Sequence, residues 1–170
     1  MRSCLSRRAR LATVAAWLAL LAPFAPAGVS AAADIADNAP FWTGKPGAAE
    51  FKARNEQRVA TAKKALEKLL AAKGKRTIAN TLVPFDEIQR QLDMAASQSG
   101  LMEEVSPDST TRATAEAMTQ DISRFVTDLS LNRQVYDAMS AVDLTGADAE
   151  TKYYVEKTLR DFKLSGVDKD

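Results

Sequence analysis

Residues 48–74 read AAEFKARNEQRVATAKKALEKLLAAKG, and this stretch decides the fold class. Apolar residues recur there every three or four positions, and the residues between them are mostly good helix formers. Gly74 follows as a helix stop. The pattern predicts a long amphipathic helix over residues 48–73, whose apolar row is Val59, Ala62, Leu66, Leu69 and Leu70.

A second and a third helix follow along the chain. Residues 74–83 are expected to form a connector, and Pro84 then suits the first turn of a helix that ends near Gln98, with Gly100 as its breaker. Residues 106–108 (SPD) offer a hydroxyl at the N-cap, a proline at the first helical position and a carboxylate in the first turn, which predicts a helix start at Ser106. The apolar rows are Phe85, Ile88, Leu92 and Ala95 in the second helix, and Met118, Ile122, Phe125 and Leu129 in the third.

Two shorter helices complete the pattern. Either Ser130 or Asn132 can cap the fourth helix, and the glycine-containing segment 144–147 interrupts it. Asp148 opens the fifth helix, which ends before Gly166. No stretch alternates with period two, so the predicted fold class is all-α: a lobe of about five antiparallel or loosely packed helices. The last two rows are Leu131, Val135, Ala138 and Val142, and Val155, Leu159 and Phe162.

The first 33 residues have the pattern of a secretory signal peptide. Four arginines precede the uncharged run 11–21, and small residues follow at 29–33. Cleavage after Ala31 or after Ala33 fits. An uncleaved anchor is the alternative, although the run is shorter than the ~20 apolar residues that span a bilayer. We expect a periplasmic or secreted protein with no membrane association after cleavage.

Residues 34–47 predict an irregular lead-in to the first helix. Prolines and glycines surround Phe41 and Trp42 there. We expect Trp42 to be a packing residue that holds the N-terminal segment in place. The alternative is that its ring stacks on a ligand.

The amino-acid composition excludes several kinds of catalytic and metal-binding site. The chain has 170 residues, one cysteine and no histidine, which excludes an internal disulfide, histidine catalysis, and metal sites built on imidazoles or several thiolates. Neither a P-loop nor a G-x-G-x-x-G motif is present. We therefore predict no catalytic, cofactor-binding or metal residue. Three carboxylate pairs could be nominated for acid–base work but are expected to face solvent: Glu103/Glu104, Asp148/Glu150 and Glu156/Asp161.

Charge is segregated along the sequence. Residues 47–76 carry nine basic and three acidic side chains, whereas residues 77–170 carry nine basic and seventeen acidic ones. A basic helix can bind nucleic acid or a membrane surface. Here glutamates interrupt the basic residues and no arginine–aromatic alternation accompanies them. We expect a solvated face, or one that leans on the acidic helices, and no nucleic-acid partner.

Four motifs carry a resemblance to a known family. In chain order, the motifs are residues 76–86 (RTIANTLVPFD), 105–108 (VSPD), 129–132 (LSLN) with 135–136 (VY), and 155–167 (VEKTLRDFKLSGV). Together they resemble the N-terminal region of the thimet oligopeptidase, oligopeptidase A and peptidyl-dipeptidase family of zinc metallopeptidases. The similarity runs from about Glu50 to Asp170, and its most specific part is E-K-T-L-R-D-F.

The resemblance implies a lobe that contains no catalytic or zinc-binding residue. Members of that family are longer, almost entirely helical, and form two lobes around a channel that admits short peptides. Their zinc motif, H-E-x-x-H, lies beyond the last residue of this sequence, so residues 48–170 would be a helical N-terminal lobe, truncated before the catalytic domain and inactive alone. A truncated gene product, an incomplete gene model and a genuine short paralogue all fit.

Two functions follow as expectations. In the first, the chain belongs to a zinc-dependent enzyme that hydrolyses short peptides, and its partner is a C-terminal catalytic fragment or the peptides themselves. Zinc belongs to the full-length family and not to this chain. The alternative is a stand-alone periplasmic helical module that binds peptides or a protein. Helices shaped to pack on a missing lobe should also leave part of an apolar row exposed.

Overall fold

The computed structural model describes residues 46–169, and helices hold 80% of them. No β-strand occurs in this range, where an isolated parallel bridge joins Thr77 to Asp143. The all-α prediction is therefore confirmed. The predicted signal peptide over residues 1–33 and the predicted lead-in around Trp42 lie outside the described residues. The helices are α1 (Ala48–Ala71), a π-helix (Ile78–Leu82), α2 (Val83–Val105), α3 (Ser109–Ser130), α4 (Arg133–Ser140) and α5 (Ala149–Ser165).

The core forms around α2. Both α1 and α3 pack along this helix, and its predicted apolar row from Phe85 to Ala95 is buried. Each large apolar side chain buried in this way contributes about 1.5–3 kcal/mol to stability. Among residues 46–169, no helix combines the length and the apolar character that a bilayer crossing needs. The other helices add Phe51, Ala62, Leu69, Ala115, Met118, Ile122, Leu129, Val135, Ala138, Met139, Val155 and Phe162 to this core.

The predicted apolar rows are largely covered. Of all the residues in the five predicted rows, Leu131 is exposed, and every other member is buried or partly buried. The expectation that part of an apolar row is exposed is met within these rows at Leu131. Other exposed apolar side chains lie outside the rows, among them Val83, Val126, Tyr153 and Leu164.

Gly100 does not end α2, contrary to the prediction. The helix continues to Val105 because Met102 packs against the core and Glu103 accepts a hydrogen bond from the Thr119 hydroxyl of α3, 3.2 Å away. A glycine inside a helix costs about 1 kcal/mol relative to alanine, less than one buried core side chain contributes. The helix stops at Ser106, which precedes a proline and is extended, with φ −66° and ψ 129°.

The N-cap of α3 is Asp108 and not Ser106. Its carboxylate accepts hydrogen bonds from the backbone N–H and the hydroxyl of Thr111, at 2.7 and 2.6 Å. Ser106 lies two residues earlier in an extended conformation, so its hydroxyl cannot reach the first free N–H groups of the helix. The sequence signal was correct in kind but placed the start of the helix too early.

The connector between α1 and α2 is partly helical. Thr77 and Asn80 form a capping box in which the threonine hydroxyl accepts from the asparagine N–H and the asparagine side chain accepts from the Thr77 N–H, at 3.2 and 2.8 Å. A π-helix follows, in which the Val83 N–H donates to the Ile78 carbonyl. It leads directly into α2, so the predicted connector over residues 74–83 is wrong for 78–82.

The end of α1 lies earlier than predicted, and an arginine side chain binds one of its last carbonyls. The helix ends at Ala71, two residues before the predicted end, and Gly74 has φ +77° in the turn beyond it. The Arg76 guanidinium donates to the Leu69 carbonyl at 2.7 Å. That bond satisfies one of the carbonyls that every helix end leaves free, a task that a glycine turn often performs.

The boundaries of α5 agree with the prediction, whereas α4 starts as predicted but ends at Ser140, before Val142 of its predicted row. Asn132, one of the two candidates, caps α4 by accepting from the Val135 N–H at 3.1 Å, whereas the Ser130 hydroxyl donates to the Thr127 carbonyl within α3. Asp148 caps α5, and Gly166 follows it with φ +97°.

We predict that Asn132→Ala lowers the free energy of unfolding by about 1 kcal/mol, because a free N–H of α4 loses its acceptor. The matched variant Ser130→Ala should change stability by less than ~0.5 kcal/mol, since its hydroxyl caps no helix. Urea denaturation followed by circular dichroism measures both values. Equal losses in the two variants would contradict this assignment of the cap.

Leu92→Ala should destabilise the protein by about 2–5 kcal/mol, because a fully packed side chain of α2 would leave a cavity. Leu101→Ala on the same helix, at a side chain that is 42% exposed, should cost less than ~1 kcal/mol. The same denaturation experiment tests the pair, and a similar midpoint shift for both would refute the packing described for α2.

Candidate functional site

Two of the carboxylates nominated from the sequence have specific partners in the structure. Glu103 is partly buried and is engaged by Thr119 at 3.2 Å. A backbone hydrogen bond from Thr151 lowers the pKa of Asp148, whereas a general acid needs a raised pKa. Residues 46–169 also contain no group of three His, Cys, Asp or Glu side chains placed to hold a metal. The exposed members of the three pairs are Glu104, Asp148, Glu150, Glu156 and Asp161.

Two adjoining hollows along α5 form the candidate site, which we name the α5 groove. The first, the acidic hollow, has a volume of about 350 Å³ and is lined by Ile78, Leu82, Val83, Asp86, Glu150, Thr151 and Tyr154. The second, the aromatic hollow, has a volume of about 190 Å³ and is lined by Phe85, Gln89, Val126, Leu129, Ser130, Tyr154, Lys157, Thr158, Asp161, Phe162 and Ser165. Tyr154 lines both hollows, so they are neighbours on either side of α5's inward face.

Aromatic packing fixes the base of the groove. The ring centroids of Phe85 and Phe162 lie 6.0 Å apart, and Tyr136 meets Phe162 edge-on at 6.2 Å. These separations are typical of favourable aromatic pairs. Phe162 thus ties α5 to both α2 and α4, which places the apolar wall of the aromatic hollow.

The two tyrosines at the start of α5 differ in burial. Tyr153 is 63% exposed, whereas Tyr154 is partly buried. Burial, and then the negative charge of Asp86, raise the pKa of the Tyr154 phenol.

The acidic hollow joins apolar surface to negative charge. Val83 is 56% exposed in it, and Asp86 and Glu150 are the charged residues of its lining. Within residues 46–169, neither carboxylate has a basic group within ion-pair distance. The hollow therefore offers a cation two acceptors beside an apolar surface.

A larger hollow between α1 and α3 has a mixed character. Its volume is about 530 Å³, and the Lys63 ammonium lies 5.8 Å from the centroid of the Phe125 ring. Asp121 and Arg124 pair with one another on its wall. Three acidic and two basic side chains line this hollow, so charges of both signs are present on its wall. Its lining residues are Glu56, Val59, Ala60, Lys63, Met118, Asp121, Arg124, Phe125 and Asp128.

Arg58 departs from the solvated basic face expected for α1. It is only 2% exposed and donates to the Gln91 side-chain oxygen at 3.3 Å. Gln91 in turn donates to Glu87 at 2.9 Å, and Glu87 also binds Arg90. This polar chain connects α1 to α2, and no sequence pattern pointed to it because Arg58 continues the run of charged residues.

The other basic residues of the first helix region agree better with the expectation. Lys63, Lys64 and Lys68 are exposed, as a solvated face requires. Contact with the acidic part of the chain is made by Lys75, whose ammonium lies 2.6 Å from the Asp143 carboxylate. The Asp143 N–H also donates to the Arg76 carbonyl at 3.0 Å. These two bonds fasten the segment after α1 to the loop between α4 and α5.

The four motifs of the family resemblance lie at helix boundaries. Residues 76–86 contain the capping box and the π-helix, and residues 105–108 contain the end of α2 and the cap of α3. Residues 129–132 contain the end of α3 and the cap of α4, and residues 155–167 run through most of α5 to its glycine stop. The motifs therefore specify where helices begin and end.

We predict that Asp143→Asn lowers stability at about pH 7, because the Lys75 ammonium holds the pKa of Asp143 well below its ordinary value of ~3.9. A carboxylate with a lowered pKa contributes stability above its unfolded pKa and loses that contribution as the pH falls toward its folded pKa. The difference between variant and parent should therefore shrink below about pH 4 in urea titrations.

Asp121→Asn is the matched control, since its carboxylate is 62% exposed and pairs within its own helix. It should change stability less at about pH 7. A stability difference for Asp143→Asn that stays constant between neutral and acidic pH would rule out the proposed role of the ion pair.

The family resemblance rests on the residues of the four motifs. Comparison of the chain with family models, curated proteins and solved structures finds no match. The family assignment is therefore put forward as a proposal, together with the function that it implies.

Proposed function

We propose that residues 48–170 are the non-catalytic helical lobe of a zinc-dependent oligopeptidase-like protein that hydrolyses short peptides. The observation that carries the proposal is the occurrence of four motifs in the family order, ending in E-K-T-L-R-D-F. Export to the periplasm or the exterior, directed by the first 33 residues, is part of the same proposal.

The positions of the motif residues support a scaffolding role. Thr77, Asn80, Asp108 and Asn132 use their polar side chains to bind the N–H groups of helix starts. A side chain held in this way is not available as a nucleophile or general base. The polar residues of the resemblance therefore account for the shape of a lobe and not for a reaction.

The donor set does not fit a zinc centre. The family's motif needs two imidazoles one turn apart and a carboxylate that activates water, and this sequence has no histidine. Zinc and the groups that bind it would be supplied by residues outside this sequence. The lobe would contribute a wall along which a peptide lies.

A second proposal, a stand-alone periplasmic module that binds peptides or a protein, has one specific observation in its favour. Every α-helix from α1 to α5 contributes buried residues to a single core cluster. Such a core can support an independently folded unit. In that case the α5 groove would bind its ligand without a catalytic partner.

Complementation tests the first proposal. The exported chain, mixed with a candidate C-terminal catalytic fragment, should hydrolyse an internally quenched short peptide, and a chelator should abolish the activity because zinc is in the fragment. Each component alone is the control. Chelator-sensitive hydrolysis by the chain alone would contradict a non-catalytic lobe. No gain of activity with any fragment would contradict complementation and favour the stand-alone module.

A further inference from the structure

We propose that the α5 groove binds a short peptide in one direction, with an ammonium group of the peptide between Asp86 and Glu150 and an apolar side chain in the aromatic hollow. The ammonium is that of a lysine side chain or of the peptide N-terminus, which share the same chemistry. The inference rests on the proposed function in one respect, namely that the ligand of this lobe is a short peptide.

The apolar surface is the first part of the argument. In the acidic hollow Val83 is 56% exposed, and in the aromatic hollow Val126 is 44% exposed beside the buried rings of Phe85 and Phe162. Tyr154 lines both hollows, which places them within the reach of one short peptide. Covering such side chains is favourable in proportion to the apolar area removed from water.

The distribution of charge gives the ligand its sign and its direction. Asp86 and Glu150 make the first hollow negative, and no basic residue is among those that line it. At the other end, the Lys157 ammonium lies 3.7 Å from the Asp161 carboxylate, so these two charges offset one another. A cation is therefore favoured at the first end alone, and the neutral second end suits an apolar side chain.

Two further features agree with a cationic ligand. Burial raises the pKa of Tyr154, and the negative charges of Asp86 and Asp93 raise it further, so both carboxylates act on the ring that lines the two hollows. By contrast, the hollow between α1 and α3 mixes Lys63 and Arg124 with three carboxylates. A cationic peptide should therefore prefer the α5 groove to this larger surface.

Peptide binding to the exported chain tests the inference. Three tetrapeptides with the same leucine at the apolar position and a fluorophore at the C-terminus serve as probes: one with a free N-terminus, one acetylated and containing lysine, and one acetylated with glutamate in place of the lysine. Fluorescence anisotropy should give an affinity about tenfold higher for an ammonium-bearing probe than for the glutamate probe, the effect of two partly exposed ion pairs. The ranking of the first two probes identifies the source of the ammonium.

Matched double variants locate the site. Asp86→Asn with Glu150→Gln should reduce affinity for the better probe about tenfold, and the remaining affinity should depend less on salt. Glu104→Gln with Glu116→Gln removes the same charge at exposed positions outside both hollows and should leave affinity unchanged. Val126→Gln should weaken binding of the leucine probe but not of the same peptide with glycine at that position.

Several results would overturn the inference. The first is equal affinity for the lysine and glutamate probes, and the second is an equal loss of affinity in the two double variants. The third is self-association of the chain that the Asp86/Glu150 variant abolishes, because a second copy would then occupy the groove. Failure of the two proposals is distinguishable. Complementation without ammonium-selective binding refutes this inference alone, whereas selective binding without complementation refutes the catalytic partnership alone.

Discussion

The burial of α2 between α1 and α3 is the constraint on which the other contacts depend. A helix covered from two sides must bury more than one row, and α2 therefore buries the polar Gln91 and Ser99 beside Ile88 and Leu92. A buried polar group needs a partner, and Gln91 obtains one by linking Arg58 of α1 to Glu87. The same helix presents Phe85 at its N-terminal end, and α5 packs there through Phe162.

Local sequence rules predicted the helices better than their ends. The apolar rows and the caps at Asn132, Asp148 and Gly166 could be derived because each depends on residues within one turn. The end of α2 could not, since Gly100 is a weak breaker and tertiary contacts of the following turn outweigh its cost. Proline decided instead, by placing the residue before it in an extended conformation. The Thr77 capping box had a sequence signal, T-x-x-N, which differs from the usual pattern by asparagine at its last position.

The candidate groove could not be predicted from the sequence, for a different reason. Asp86 and Glu150 are far apart along the chain and belong to helices whose relative position follows from packing, not from periodicity. Helical periodicity accounts for the exposed Tyr153 ring and the partly buried Tyr154 ring, because neighbouring residues of a helix face different directions. It could not indicate that the inward ring would border two hollows. In the sequence, Glu150 forms a candidate acid–base pair with Asp148, two residues away. In the fold it instead shares a hollow with Asp86 of α2.

The distribution of exposed apolar residues bears on whether the lobe needs a partner. A helical segment designed only to pack on another lobe would leave one of its rows open, yet the predicted rows are covered except at Leu131. The exposed residues Val83 and Val126 line the α5 groove instead. Uncovered apolar surface at a groove is the usual property of a binding site, whereas an open row along a helix indicates a missing structural neighbour. Among residues 46–169, two of the seven exposed large apolar side chains thus lie in the groove where we propose that a ligand binds.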